Sequence, residues 1–220
     1  MEADFNYKVI LVGNKRVGKT SITNRCVFDE FNEMSQSTRV VQIVPKMFNI
    51  EDTEKWAQVH IWDTLGQEKF MSLAPLFFRR SVGAFLVYDV TSMESFKAID
   101  KWYEQILKNA DTKVIVMLIG NKKDKENREV PYNTAAQYAM QHNFGLMEVS
   151  AKLGHGIKEA FSRLITEVYR SMEMEGLTEV TTEAHRDRRD VHSGSVFLDS
   201  QKHANGQSHS QSTDQSERTG

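Results

Sequence analysis

A chain of 220 residues is long enough for one α/β domain with a proper core, plus a tail. A formal net charge of -2 argues against a general nucleic-acid binder. The single cysteine, Cys26, excludes an internal disulfide, fits a reducing compartment and, on the first predicted helix, reads as a buried structural thiol.

The elements follow from the periodicity. Tyr7–Val12 is an apolar first strand, and Lys19 to about Asp29 is predicted helical. Val40–Ile50 and Trp56–Trp62 read as strands, and Glu51-Asp52-Thr53-Glu54 between them as a hairpin turn, which makes that pair antiparallel. Ala84–Asp89 and Val114–Gly120 are continuous apolar runs of the buried-strand type, joined by a helix over Met93–Asn109. Pro131 opens a helix reaching about His142. Leu146–Ser150 is the last strand and Gly156–Met174 the last helix. Such alternation implies a mainly parallel sheet with helices on both faces, and ligands in such sheets bind beyond the carboxyl ends of the strands. Residues 1–174 are therefore read as one domain. From Glu175 to Gly220 the chain is polar, Val196-Phe197-Leu198 apart, and reads as a disordered tail whose histidines match no metal-ligand spacing. No apolar run approaches the roughly 18 residues of a membrane span, and the acidic start Met1-Glu2-Ala3-Asp4-Phe5 lacks a signal region, so a cytoplasmic protein is expected.

Four motifs sit at predicted strand ends. Gly13-Asn14-Lys15-Arg16-Val17-Gly18-Lys19-Thr20 matches G-x-x-x-x-G-K-[ST] in a strand–loop–helix context. Its glycines let backbone N–H groups close around phosphate oxygens. Lys19 brings positive charge to the β- and γ-phosphates, and the Thr20 hydroxyl is a ligand for Mg²⁺. Ser21 follows at the helix N-terminus, whose dipole favours anions. Asp63-Thr64-Leu65-Gly66-Gln67-Glu68 supplies a carboxylate for the metal (Asp63), an N–H for a γ-phosphate (Gly66) and an amide that can orient an attacking water (Gln67). In Asn121-Lys122-Lys123-Asp124, the Asp124 carboxylate can take guanine's N1–H and 2-amino group together, a donor pair adenine lacks. Asn121 can hold the base edge, and the stem of Lys122 can cover a ring face. In Ser150-Ala151-Lys152, the Ala151 N–H can meet guanine O6 and Lys152 can lie over the ring. The last two motifs are weak alone and specific only after a phosphate loop.

With these motifs in this order, the chain resembles a Ras-superfamily small GTPase over about Tyr7–Tyr169, and most the Rab branch. The branch resemblance lies in Val59-His60-Ile61-Trp62-Asp63-Thr64, Leu76-Phe77-Phe78-Arg79-Arg80 and Gly83-Ala84-Phe85-Leu86-Val87-Tyr88-Asp89-Val90-Thr91. It implies the P-loop GTPase fold, a six-stranded mostly parallel sheet with one antiparallel strand and five helices. It also implies a GTP/GDP switch with Mg²⁺ that hydrolyses GTP and recruits effector proteins in vesicle traffic, served by an exchange factor and a GTPase-activating protein. A monomer is expected. Alignment from Gly13 puts Thr38 at the first-switch threonine that senses Mg²⁺ and γ-phosphate. It puts Phe31 at an aromatic packed edgewise on the base, and Ile43, Trp62 and Phe77 at a hydrophobic effector triad; core packing is the competing reading for that triad.

The sequence departs from that family at Lys15 and Arg16, which replace a small residue and a glycine; at Leu65, which replaces alanine; and at Arg39-Val40, which replace Ile-Gly. Bulk at Lys15 would crowd the γ-phosphate edge and the path of an arginine finger, unless both side chains simply face solvent. These changes leave open a pseudo-GTPase scaffold that binds guanine nucleotide with little hydrolysis. The tail has no cysteine for a lipid, so endomembrane association is expected only through partners.

Overall fold

The computed structural model describes residues 2–33, 41–64, 74–110 and 113–176. Six strands form one sheet in the order β2-β3-β1-β4-β5-β6: β1 (Phe5–Val12), β2 (Gln42–Asn49), β3 (Trp56–Asp63), β4 (Gly83–Asp89), β5 (Ile115–Asn121) and β6 (Gly145–Glu148). Only β2 runs antiparallel, against β3. Its register follows from the tight turn, where Ile50 N–H donates to Lys55 O at 3.0 Å and Asp52 adopts φ 63°.

Alternation along β1 divides the core. Val9 and Leu11 face α1 (Lys19–Phe28) and α6 (Ile157–Met174) through Ile22, Cys26, Phe161 and Leu164. Ile10 and Val12 face the other way, toward a second core that includes Trp102, Ile106, Ala135 and Ala139. Those residues lie on α4 (Ile99–Asn109) and α5 (Tyr132–His142). The strands β4 and β5 are apolar on both sides because both faces of the sheet are covered.

Two differences from the sequence reading have local causes. The predicted helix over Met93–Asn109 is interrupted at Ala98, where ψ is -8°. It becomes α3 (Met93–Lys97) and α4, and the halves serve different neighbours. Phe96 of α3 meets Tyr88 and Tyr138 edge-on, whereas α4 buries Ile99, Trp102 and Ile106. The last strand ends at Glu148 rather than Ser150, because Ser150 N–H turns to donate to His155 O at 3.0 Å and closes a loop. A five-residue helix, α2 (Ala74–Phe78), has too little periodicity to be read from sequence. Counting α3 and α4 as one interrupted helix, the described residues hold five helices, the number the resemblance implies. The tail from residue 177 onward lies outside the described residues.

Candidate functional site

The site forms where β1, β3, β4 and β5 end. Gly13 leaves β1 with φ 145°, and a Cβ there would collide with the Val87 carbonyl oxygen. Gly18 caps α1 with φ 99°, and its Cβ would strike the Asn121 side-chain amide. Both positions therefore need glycine for space as well as for backbone angle.

Inside the loop, the Lys19 ammonium is buried and donates to Gly13 O and Asn14 O, both at 3.0 Å. Burial pushes its pKa down to about 8, against the pull of nearby Asp63. Thr20 Oγ1 donates to Asp63 Oδ2 at 2.5 Å. Asp63 is fully buried, and burial pushes its carboxyl up to about 6 against the Thr20 hydrogen bond and Lys19. Its second oxygen, Oδ1, has no hydrogen-bond partner. A buried carboxylate oxygen without a donor, beside a hydroxyl, suits a hard cation that takes few protein ligands and completes its shell with phosphate and water, as Mg²⁺ does. Among the described residues, no group of three His, Cys, Asp or Glu side chains offers a competing metal site. Ser21 is half-buried in the first turn of α1.

The second half of the site is built around Asn121, whose exposure is 1%. Its Nδ2 donates to Val17 O at 2.9 Å, and its Oδ1 accepts the Ala151 N–H at 3.1 Å. One side chain thus joins the phosphate loop to the Ser150–Lys152 loop. Lys122, at φ 67°, donates from Nζ to Arg16 O at 2.8 Å and pairs with Asp89 Oδ2 at 2.5 Å. Asp124 Oδ1 accepts from Ser150 Oγ at 2.5 Å, and Ser150 Oγ accepts the Leu153 N–H at 3.0 Å. The sequence reading sent the Ala151 N–H to guanine O6; in this structure that donor is on Asn121. Lys152 lies near Glu33, with 3.6 Å between charged atoms. Phe31 is half-buried and packs against the first core.

The altered loop residues Lys15 and Arg16 are both exposed, and Arg16 adopts φ 64°. Ile43 and Trp62 are direct cross-strand partners on β2 and β3. Ile43 is 39% exposed, while Trp62 and Phe77 are partly buried against the second core. Lys8 Nζ stands 3.7 Å from the Trp62 ring centre and donates to Arg79 O at 2.9 Å. The triad therefore combines core packing with an outward face. Thr38, Leu65, Gly66 and Gln67 lie outside the described residues.

Three contributors escaped the motif reading. Asp89 ends β4 and receives Lys122. Trp102 on α4 donates to Asn14 Oδ1 at 2.8 Å, and Arg25 on α1 donates to the Ala151 and Lys152 carbonyls. None lies in the four nucleotide motifs, although Asp89 falls in the Gly83–Thr91 segment that carries the branch resemblance. The only sequence signal was Asp89, a carboxylate at the end of an apolar strand.

Residues 8–170 match the Ras family profile. The chain is 38% identical over 176 residues to the Ras-related protein RABA4d of Arabidopsis thaliana, covering 80% of this chain and 78% of that one. It is 34% identical over 172 residues to the Ras-related protein rab-11.1 of Caenorhabditis elegans, covering 78% and 81%. It is 35% identical over 170 residues to the GTP-binding protein ypt3 of Schizosaccharomyces pombe, covering 77% and 78%.

Proposed function

The chain belongs to the Ras family and is a Rab-like small GTPase, and from that premise we propose that Gly13–Ser21, Asp63, Asn121, Lys122, Asp124 and Ser150–Lys152 are its GTP/GDP pocket. The observation that carries the assignment is the Asn121 side chain, which joins the phosphate loop at Val17 to the base loop at Ala151. A pocket that must grip both ends of a nucleotide needs such a tie.

Each half of the pocket has its own work. Lys19 is poised to trade its two loop carbonyls for β- and γ-phosphate oxygens, and a pKa near 8 leaves it charged at neutral pH. Thr20 and Asp63 would hold Mg²⁺, with Thr38 as the expected further ligand; the ion supplies charge neutralisation across the β- and γ-phosphates. Gln67 is expected to orient the attacking water and Gly66 to donate to the γ-phosphate. Asp124, set by Ser150, selects guanine through paired hydrogen bonds. Phe31 and the stems of Lys122 and Lys152 would flank the base.

The Rab-type relatives favour a hydrolysing switch over a static scaffold. Ile43, Trp62 and Phe77 are proposed as the effector-facing triad, and an exchange factor and a GTPase-activating protein are proposed as further partners. Work in vesicle traffic is supported by the Rab resemblance. Among the described residues no helix is long and apolar enough to cross a membrane. Association with endomembranes through partners is part of the proposal.

The test is base selection. The native chain is expected to bind GTP far more tightly than ATP, and Asp124→Asn to shift preference to xanthosine triphosphate, whose 2-carbonyl suits an amide donor. Equal native affinity for ATP and GTP overturns the assignment.

A further inference from the structure

The Arg25 guanidinium ties together two segments, the end of α1 at Asp29 and the Ala151–Lys152 loop. Arg25 lies on α1, the helix that starts at Lys19. Its Nε donates to Ala151 O at 3.0 Å and its Nη2 to Lys152 O at 3.0 Å. Its Nη1 donates to Asp29 O at 2.7 Å and to Asp29 Oδ1 at 3.1 Å. The Arg25 side chain is 18% exposed; its bond to Ala151 O is partly buried, while those to Lys152 O and Asp29 lie at the surface. Its stem lies against Gly154, where an added Cβ would sit 3.5 Å from Arg25 Cδ.

The two segments matter for different reasons. Asp29 ends α1 in the left-handed conformation at φ 57° and leads straight into Phe31. Ala151 and Lys152 belong to the loop that also presents Ser150 to Asp124. A lysine cannot reproduce this arrangement, because the planar guanidinium fork addresses three carbonyl groups and a carboxylate at fixed angles.

We infer that Arg25 is a positioning residue for purine recognition, holding the Ala151–Lys152 loop at a set distance from the Phe31 segment and so fixing where the Ala151 N–H, which donates to Asn121 Oδ1 in this structure and would turn to the base when nucleotide binds, stands. This rests on the reading of Ser150–Lys152 as the guanine loop. Arg25 touches no nucleotide itself. It acts through the backbone whose carbonyls it holds, and it ties that backbone to the helix that carries Lys19 and Thr20. Release of guanine nucleotide is therefore set in part by a residue outside every nucleotide motif.

The experiment follows release of labelled GDP into excess GTP from the full chain and from Arg25→Gln and Arg25→Lys. A second series uses 6-thioguanosine diphosphate, whose sulfur accepts hydrogen bonds poorly. Arg25→Gln is expected to speed GDP release about tenfold or more and Arg25→Lys by less. The acceleration should be distinctly smaller for the thio ligand, because its bond to the positioned N–H is already weak; that coupling separates positioning from general loosening of the fold. Unchanged GDP release, or an equal acceleration for both ligands, overturns the inference. If the glutamine variant does not fold, the lysine variant is judged by the same two ligands. Asp124→Asn runs alongside: if it fails to shift preference toward xanthosine diphosphate, the guanine-loop reading itself is wrong, whatever Arg25 does.

Discussion

The indole Nε1 of Trp102 donates to the Asn14 side-chain oxygen at 2.8 Å, so the second core holds the phosphate loop by a hydrogen bond. Trp102 is 4% exposed and packs with Ile99 and Ile106 of α4. Asn14 is the residue after Gly13, and its own carbonyl receives Lys19. A shift of α4 would therefore be passed to the phosphate loop through Asn14.

Trp102→Phe keeps much of the apolar packing and removes the donor. A neutral hydrogen bond of this kind contributes about 1 kcal/mol, which corresponds to roughly fivefold in nucleotide release. Stopped-flow dissociation of a fluorescent GDP should show that acceleration. Release at the native rate would show that Asn14 needs no anchor.

The Thr20–Asp63 pair gives a sharper expectation. Thr20→Asn removes the hydroxyl that donates to Asp63 and that would be a Mg²⁺ ligand, and puts a bulkier amide against the buried carboxylate. Loss of a buried charged partner costs on the order of 2–5 kcal/mol of affinity. GTP should suffer more than GDP, because the metal held by Thr20 and Asp63 would neutralise the γ-phosphate charge that GDP lacks. Titration with and without EDTA measures this; native affinity indifferent to Mg²⁺ would remove the metal assignment.

How much of this was legible in the sequence depends on range. The phosphate loop was readable because its constraint is local: Gly13 and Gly18 need positive φ and no Cβ, and Lys19 must follow at a fixed offset. The strand β1 was readable as an apolar run, but the division of Val9 and Ile10 between opposite cores came only with the structure. Arg25 and Trp102 were not readable. Their partners stand 126 and 88 residues away in the chain, and nothing in the local pattern separates an arginine that grips two carbonyls from a solvated one. The break at Ala98 was hidden for the same reason, since the apolar spacing continues through it and only the packing of Phe96 against Tyr88 gives α3 a separate partner.

The altered residues of the phosphate loop bear on rate. Lys15 and Arg16 are exposed at the loop's outer surface, with Arg16 O held by Lys122. Small GTPases gain roughly 10³–10⁵ in rate from an arginine finger, so bulk at Lys15 that blocks its path would leave a long-lived GTP state. Lys15→Ser with Arg16→Gly and Leu65→Ala should raise turnover stimulated by an activating protein while leaving GDP affinity within a few-fold. Single-turnover hydrolysis with and without that protein decides it. No change in the triple variant would show that these side chains point away from the chemistry.

Cys26 offers a test of the core beneath the pocket. The thiol is fully buried between α1 and the sheet, and burial pushes its pKa up to about 12, against weaker downward pulls from Lys46 and Lys158. The native protein at pH 8 should therefore resist a thiol-specific reagent, because the thiolate is the nucleophile and almost none forms. Unfolding in guanidinium should release one reactive thiol. The sign of the pH effect follows from the same shift. Between the ordinary value of 9.0 and about 12 the folded state keeps a proton that the unfolded state has lost. Stability contributed by the protonated thiol is thus intact below pH 9 and falls as pH rises above it. Comparing native protein with Cys26→Ala isolates this group, since every other titration is common to both. The melting-temperature advantage of cysteine over alanine should be greater at pH 8 than at pH 10. Cys26→Ser should melt below Cys26→Ala, because it buries a hydroxyl in an apolar neighbourhood. Rapid labelling of the native thiol at pH 8, or a constant advantage across that range, would contradict the packing around Cys26.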